Sequence, residues 1–206
     1  WSANGGARLQ ARLQAITKEQ FVAEHLAIFG HTAAGDLRPY EAGYGTSHVF
    51  QETHCLADVA GFYRAFGLEP CEVRRERPDY IAVELEFMHV LALKEAYALA
   101  HDWRDKVAVC GEAQTSFLRD HLGRWAPSFL KSLAERTRGK TFELIAEVTA
   151  LCVEAHCNES GIDARVKDLT LPSAPCEPEG INFPCMAENM AAVVASAVNI
   201  SKEETE

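Results

Sequence analysis

The sequence predicts an all-α protein: a single-domain helical bundle over residues 1–160, followed by an irregular, proline-rich tail over residues 161–206. Three observations predict it. Apolar residues recur at spacings of three and four, the period of a helix with one buried face. No stretch shows the sustained period-two alternation of a half-buried strand. The chain has 206 residues, of which 48% are hydrophobic, and that is enough to bury a core.

Two helices are predicted before residue 31. Leu9 and Leu13 begin a three-and-four spacing that predicts the first helix. Thr17 begins the second, because Gln20 follows three residues later in the capping-box pattern. Gly30 marks the end of this helix, where glycine is the commonest residue.

A loop is predicted over residues 31–52, where glycines and a proline interrupt the periodicity. A helix from about Leu56 to Phe66 follows, and Gly67 ends it. Pro78 is expected to open the longest helix, since the first helical position does not need an N–H. This helix has two apolar faces, which predicts that it lies in the middle of the bundle. The faces are Ile81, Leu85, Met88, Ala92, Ala96 and Leu99, and then Val83, Phe87, Val90 and Leu91.

The remaining pattern predicts three more helices and the tail. One helix spans Trp103 to Leu122, a short one is opened by Pro127, and a third follows Gly139. Four prolines crowd the start of the tail, and a small alanine-rich helix is expected near Met186–Val198.

Composition excludes several classes of protein. With 20 basic and 30 acidic residues the net charge is −10, which argues against binding to a nucleic-acid backbone and permits a positively charged partner. No apolar run approaches the roughly 20 residues of a membrane span, so no stable membrane association is expected. Residues 1–12 lack the pattern of a secretory signal. Because the cysteines number seven, an odd count, we expect reduced thiols in a cytoplasmic protein.

The most informative segment runs from Glu76 to Met88. It sets four carboxylates, including Asp79, Glu84 and Glu86, around the predicted start of the longest helix. In the first turn of that helix, the macrodipole would stabilise the anion of Asp79. Glu84 lies between the two apolar faces, so it must be partnered or kept neutral. The simpler interpretation is a dipole-compensated helix start with a solvated Glu86.

This segment resembles the signature of the TorD/DmsD/NarJ family, the cytoplasmic chaperones of molybdenum-containing redox enzymes. The family pattern reads Glu-x-Pro-x-Asp-His-Ile-x-x-Glu-Leu-x-Phe-Met, with some slack before the aspartate. Tyr80 departs from it, since the family usually has histidine there, and a tyrosine does not titrate near neutral pH. The matching residues are Glu76, Pro78, Asp79, Ile81, Glu84, Leu85, Phe87 and Met88.

Three other stretches resemble the same family in the same order. They are the loop 39–44, the helix 56–68 and the helix–turn–helix 117–129. The resemblance covers roughly residues 21–159. It is closest to the chaperones of type II dimethyl-sulfoxide-reductase-like enzymes, which serve selenate, chlorate, dimethylsulfide or ethylbenzene oxidoreductases.

The resemblance implies a chaperone and not an enzyme, with no cofactor of its own. It implies binding of the twin-arginine signal peptide, or of the folding apoprotein, of a molybdopterin-containing catalytic subunit until the cofactor is inserted. Arginines pair best with carboxylates, and an apolar leader helix needs an aromatic-lined groove. The leader is expected to dock between the Tyr40 loop and the start of the Asp79 helix. The expected binding residues are Tyr40, Glu41, Tyr44, Glu76, Pro78, Asp79, Tyr80, Glu84, Phe87, His121 and Trp125.

Some of these residues have a purely structural alternative. Asp79 is either a direct contact for the client or only a cap of its helix. His121 is either a groove residue or, as we favour, a core histidine bonded to a backbone carbonyl. Trp125 and Pro127 are interpreted mainly as structural, filling a corner and starting a helix.

Two alternative functions stay open. Cys152, His156 and Cys157 predict a metal-binding protein or metalloenzyme, although no Cys-x-x-Cys pair supports a closed zinc site and buried thiols are the favoured interpretation. The other is an assembly factor that binds only the mature client. The Gly139-Lys140-Thr141 triplet mimics a phosphate loop but lacks its leading glycine and its strand, so a phosphate loop is rejected. A monomer and a domain-swapped dimer both remain possible.

Overall fold

The computed structural model describes residues 3–30, 37–44, 49–69 and 76–162, and these residues are helical with no strand. The all-α class is confirmed. The predicted tail helix lies outside the described residues, and the boundary at residue 160 stays a prediction. The helices are α1 (Ala3–Ala15), α2 (Lys18–Phe29), α3 (Val49–Ala65), α4 (Ile81–Ala100), α5 (Arg104–Phe117), α6 (Gly123–Arg136) and α7 (Thr141–Glu159), with a 3-10 helix (Glu41–Tyr44) and a π-helical turn (Leu118–Leu122).

The described elements fall into two compact units. The first unit contains α1, α2, the 3-10 helix, the π-helical turn, α6 and α7. The second contains α3, α4 and α5 as far as Gln114. Within the described ranges no helix has both the length and the apolarity that crossing a bilayer requires.

The core of the first unit is the contact of α6 with α7, and α1 packs on the other side of α7. Helix α6 is strongly amphipathic and buries one face that carries Trp125, Phe129 and Leu133. Each such side chain removed from water stabilises the fold by about 2 kcal/mol. Helix α2 adds Phe21, whose ring stacks on Phe142 of α7 at 5.1 Å between centroids.

A polar tie joins α1, α2 and α7 in the first unit. The Glu24 carboxylate accepts the backbone N–H of Thr141 at 3.0 Å, at the start of α7, where the helix dipole favours an anion. The Arg12 Nε donates to Thr141 Oγ1 at 3.2 Å. Two residues earlier, the N–H of Gly139 donates to Glu143 Oε2 at 2.6 Å, and the N–H of Lys140 donates to the Thr137 carbonyl at 2.9 Å. All three backbone amides of the Gly139-Lys140-Thr141 triplet therefore already have acceptors within the protein.

The core of the second unit is an aromatic cluster around Phe87 of α4, which is fully buried. The rings of Phe62, Tyr63 and Phe66 from the α3 region lie 6.3, 4.9 and 5.9 Å from it. These are the distances of tilted and edge-to-face aromatic pairs. Phe87 thus holds α3 against α4.

The prediction of two buried faces on α4 is confirmed for one of them. Val83, Phe87, Val90 and Leu91 are all buried. The other face is buried at Ile81 and Met88 but not in the C-terminal half of the helix, where Ala92 and Ala96 are exposed and Leu99 is 61% exposed. Exposing a small alanine side chain to water costs little free energy. The prediction that α4 is buried on two faces therefore holds only for its first half.

The boundaries of the first helices agree well with the sequence signals. Thr17 forms the predicted capping box, with its Oγ1 accepting from the Gln20 N–H and its own N–H donating to the Gln20 side chain. Helix α2 ends at Gly30 as expected. The loop predicted up to residue 52 is too long, because α3 begins at Val49. No proline or glycine after Gly45 prevents that earlier start.

Both prolines expected at the first position of a helix lie elsewhere. Pro78 precedes α4, in a turn that is closed by a hydrogen bond from the Tyr80 N–H to the Arg77 carbonyl at 3.1 Å. Asp79 therefore precedes α4 rather than lying in its first turn. Pro127 is the fifth residue of α6, because a π-helical turn replaces the expected break and keeps the chain helical from α5 into α6.

Gly123 stands where the π-helical turn meets α6, and its N–H reaches back to the Leu118 carbonyl. A Cβ built on Gly123 would lie 2.5 Å from the Leu118 oxygen and 2.9 Å from Cys157 Sγ of α7. Both distances are too short for a carbon atom. Only glycine permits this close approach of α6 to α7.

We expect Gly123→Ala to lower the free energy of unfolding by about 1–3 kcal/mol, because the extra carbon overpacks the α6–α7 contact. Gly61→Ala in α3 is the control, since a Cβ there meets nothing within 4 Å and alanine is the better helix former by about 0.5–1 kcal/mol. Urea denaturation followed by circular dichroism measures both. Equal stability of Gly123→Ala and the wild type would contradict the close approach.

Candidate functional site

The eleven predicted binding residues are shared between the two units. Tyr40, Glu41, Tyr44, His121 and Trp125 lie in the first unit, and Glu76, Pro78, Asp79, Tyr80, Glu84 and Phe87 lie in the second. Their exposure differs greatly. Glu76 is exposed, Tyr40, Glu41 and Tyr80 are half-buried, and the other seven are buried.

His121 and Glu41 form a buried pair in the first unit. The His121 Nδ1 lies 3.0 Å from Glu41 Oε2 and 3.1 Å from Oε1, and little of either side chain is exposed. The Phe117 ring lies 5.2 Å from the imidazole, centroid to centroid. His121 is thus a core residue, as favoured from the sequence, but the expected backbone-carbonyl partner is wrong: this nitrogen faces a carboxylate. The pair ties the 3-10 helix to the π-helical turn.

An aromatic cluster covers the same 3-10 helix. The Tyr44 ring lies 5.2 Å from that of Trp125 and 6.3 Å from that of Phe129. Burial raises the pKa of the Tyr44 phenol well above its usual value, although Arg136 opposes the shift. Trp125 packs from α6 against the 3-10 helix and is buried, and its role toward the client stays a prediction.

Asp79 is fully buried in the second unit and is paired with an arginine of its own chain. The Arg77 Nε donates to Asp79 Oδ1 and the Nη2 donates to Oδ2, both at 2.9 Å. Nη2 also lies 2.8 Å from Glu52 Oε1 of α3. Such a two-pronged pair is the strongest geometry that a carboxylate and a guanidinium adopt.

The segment before α4 is held from a second side. The Tyr63 hydroxyl donates to the Pro78 carbonyl at 2.7 Å, and this bond is buried. The N-cap residue of α4 is Tyr80, which has no side-chain capping bond. Tyr63 and Arg77 together fix the turn that orients the half-buried Tyr80 ring.

The sequence did not single out Arg77 or Glu52 as site residues. Arg77 lies inside the motif, at one of its variable positions, and a charge two residues from Asp79 was a usable signal. No sequence signal pointed to Glu52, since it lies in a stretch that was predicted to be a loop.

The metal site predicted at Cys152, His156 and Cys157 receives no support from the structure. Cys152 lines a shallow groove with Gly5 and Gly6 of α1, whereas Cys157 is buried against Gly123 of α6. The ligand atoms of Cys152, His156 and Cys157 do not converge into a group that could hold a metal. Burial raises the pKa of Cys157, and Glu154 adds to the shift. Cys157 therefore behaves as a buried thiol.

Residues 3–131 match the family described as the nitrate reductase delta subunit, which is more than half of the chain. This chain belongs to that family. It is 31% identical over 123 residues to the perchlorate reductase assembly chaperone protein of Dechloromonas aromatica (strain RCB). It is 32% identical over 158 residues to the selenate reductase assembly chaperone protein of Thauera selenatis. The chlorate reductase assembly chaperone protein of Ideonella dechloratans is 32% identical over 155 residues.

The coverage differs among these relatives. The matched region is 59% of this chain and only 54% of the perchlorate reductase chaperone. It is 73% of this chain and 75% of the selenate reductase chaperone, and 71% and 74% for the chlorate reductase chaperone. No solved structure matches the chain. The resemblance to redox-enzyme maturation chaperones is confirmed, and these relatives are assembly chaperones rather than enzymes.

We expect Glu41→Ala to cost about 1–3 kcal/mol of stability, because the buried His121 ring loses its carboxylate partner. Asp120→Ala is the matched control, since Asp120 forms an exposed pair with Arg119 at 2.7 Å, and exposed pairs contribute at most about 1 kcal/mol. Urea midpoints of the two variants and the wild type check this. Equal losses in both variants would contradict a special role for the buried pair.

Tyr44 makes stability depend on pH in the alkaline range. Its pKa is higher in the folded than in the unfolded state, where it is about 10. Its contribution is therefore complete below pH 10 and is lost as the pH rises above that value, by at most about 1.4 kcal/mol per pH unit. We expect Tyr44→Phe to lose stability less steeply from pH 10 to 11 in urea titrations. Parallel curves for the variant and the wild type would contradict this assignment.

Proposed function

We propose that this chain is a cytoplasmic, system-specific chaperone for the catalytic subunit of a molybdopterin oxidoreductase of the type II dimethyl-sulfoxide-reductase family. It binds the twin-arginine signal peptide, or the apo form, of this client during cofactor insertion and before export. The observation that carries the proposal is membership in a family whose relatives are named as assembly chaperones of perchlorate, selenate and chlorate reductases. The chaperone acts by holding the client and releasing it, without turnover.

Exposure decides which predicted residues contact the client and which support them. Tyr40, Tyr80 and Glu76 are half-buried or exposed, so a peptide reaches them without unfolding the protein, whereas the Glu41 carboxylate is engaged by His121. An aromatic ring and a carboxylate are what an apolar leader with two arginines requires. The buried aromatic residues of the set, such as Phe87 and Trp125, act as the packing that fixes these contacts.

The negative charge of the chain acts over the whole molecule as well as at the motif. The net charge is −10, which attracts a basic peptide, although salt screens the effect. The motif and the residues just before it are acidic overall: Glu72, Glu76, Asp79, Glu84 and Glu86 stand against Arg74, Arg75 and Arg77 in the sequence. The three arginines offset part of this charge, so affinity for the leader depends on contact geometry as well as on local charge.

We expect Tyr80→Ala to weaken binding of a leader peptide about tenfold or more, because truncating an aromatic contact residue commonly costs at least 1 kcal/mol of binding. The probe is a synthetic leader with two consecutive arginines and its apolar segment, and isothermal titration measures its dissociation constant. Tyr97→Ala is the control, since Tyr97 is an exposed tyrosine that lies about 25 Å from Tyr80 along the axis of α4, at a rise of 1.5 Å per residue.

Two results would contradict the proposal. Equal affinity of Tyr80→Ala and the wild type, with both proteins folded, would remove Tyr80 from the binding surface. Capture of a client subunit that lacks its leader, at the same yield as the complete subunit, would show that the chaperone recognises the mature client instead.

A further inference from the structure

The Arg77 guanidinium occupies a site built from two carboxylates on different segments. Asp79 holds it through two parallel hydrogen bonds of 2.9 Å. Glu52 approaches it from α3 at 2.8 Å. This is the coordination that carboxylates offer to any guanidinium, whichever chain supplies it.

The site is shielded from solvent at Asp79 and accessible to solvent at Arg77 and Glu52. The Asp79 side chain is 0% exposed, whereas the side chains of Arg77 and Glu52 are 25% and 32% exposed. Two carboxylates face one cation, so a negative charge is left over. Burial works against the charged form of Arg77, but Asp79 and Glu52 outweigh it and raise its pKa. The site therefore favours a cation over a neutral group.

Arg77 reaches this site from an irregular part of the chain. It lies before the turn at Pro78 and Asp79, outside α3 and α4. Its side chain can leave without breaking a helical hydrogen bond. Removing the guanidinium from a buried carboxylate is unfavourable. A second guanidinium that enters as Arg77 leaves offers Asp79 the same two parallel hydrogen bonds.

From this geometry we propose that Glu52 and Asp79 form a guanidinium-binding site, which Arg77 fills in the free protein and an arginine of the client leader takes over on binding. This inference rests on the proposed function. Arg77 is then a built-in competitor. Both oxygens of Asp79 are already engaged, so a client arginine pairs with Asp79 in this way only by displacing Arg77.

The proposal predicts that Arg77 weakens binding and sets its selectivity. A competitor on the same short segment acts at an effective concentration in the millimolar range, so its removal strengthens binding. A lysine in the leader does not replace the arginine, because an ammonium group lacks the two parallel donors.

The first test titrates Arg77→Ala with a synthetic leader that carries two arginines and with a copy in which both are lysine. We expect the arginine leader to bind the variant about tenfold more tightly than the wild type, while the lysine leader gains little. Arg64→Ala, at an exposed arginine in the last turn of α3, is the control and should leave both affinities unchanged. A folded Arg77→Ala variant that binds the arginine leader no more tightly than the wild type would overturn the proposal.

The second test needs no client and separates the site from the proposed function. Arg77→Ala leaves Asp79 without its guanidinium, so we expect a lower Tm that millimolar methylguanidinium raises by several degrees. Methylammonium should raise it less, and the double variant Arg77→Ala/Asp79→Asn should not respond. Equal effects of the two cations would overturn the guanidinium site. Rescue by methylguanidinium without any binding of the leader would keep the site and refute leader recognition.

A third measurement uses the wild type, in case Arg77→Ala does not fold. Phenylglyoxal modifies accessible guanidinium groups, and peptide mass spectrometry reports the extent at Arg77. We expect the reactivity of Arg77 to rise several-fold when the arginine leader is bound, because its side chain has been displaced. Unchanged or lower reactivity in the complex would overturn the proposal.

Discussion

Carboxylates that are largely shielded from water, and therefore need a partner, hold separate segments of this chain together. Glu41 joins the 3-10 helix to His121 in the π-helical turn. Asp79 fixes the segment before α4 through Arg77. Glu24 receives the first amide of α7. In each case the desolvated acid selects one geometry, because a shift of an ångström would leave it without its partner.

These attachments explain why residues of the family motif are so seldom exposed. Asp79, Glu84 and Phe87 are all buried, so their first task is to build the start of α4 and its contact with α3. The side chains left within reach of a partner, such as Tyr80, are the ones that this buried framework orients. A motif of this kind specifies the shape of a surface mainly through residues that lie beneath it.

Much of the fold could be predicted from the sequence because helical periodicity and capping signals are local. The capping box at Thr17 and the stop at Gly30 were found in this way. The π-helical turn could not be predicted, because the hydrogen bond from the Gly123 N–H to the Leu118 carbonyl has no signature in the sequence. For the same reason Pro127 was wrongly predicted to start a helix. The partner of Asp79 was missed for a different reason. Arg77 is adjacent in sequence, but Glu52, which completes the cluster, is brought there only by tertiary folding.

The metal-binding interpretation failed on helical geometry. Cys152 and Cys157 are five residues apart, so they point to different neighbours, α1 and α6. Spacing in the sequence indicated proximity along the helix but not convergence of the side chains.

The fit of the Cys157 sulfur over Gly123 has a chemical consequence. Only a thiolate reacts readily with alkylating agents, and this sulfur is both fully covered and held in its protonated form. An adduct on it has no room while α6 and α7 remain in contact. The rate at which the Cys157 thiol is alkylated therefore reports how often α6 and α7 separate by local unfolding in the first unit.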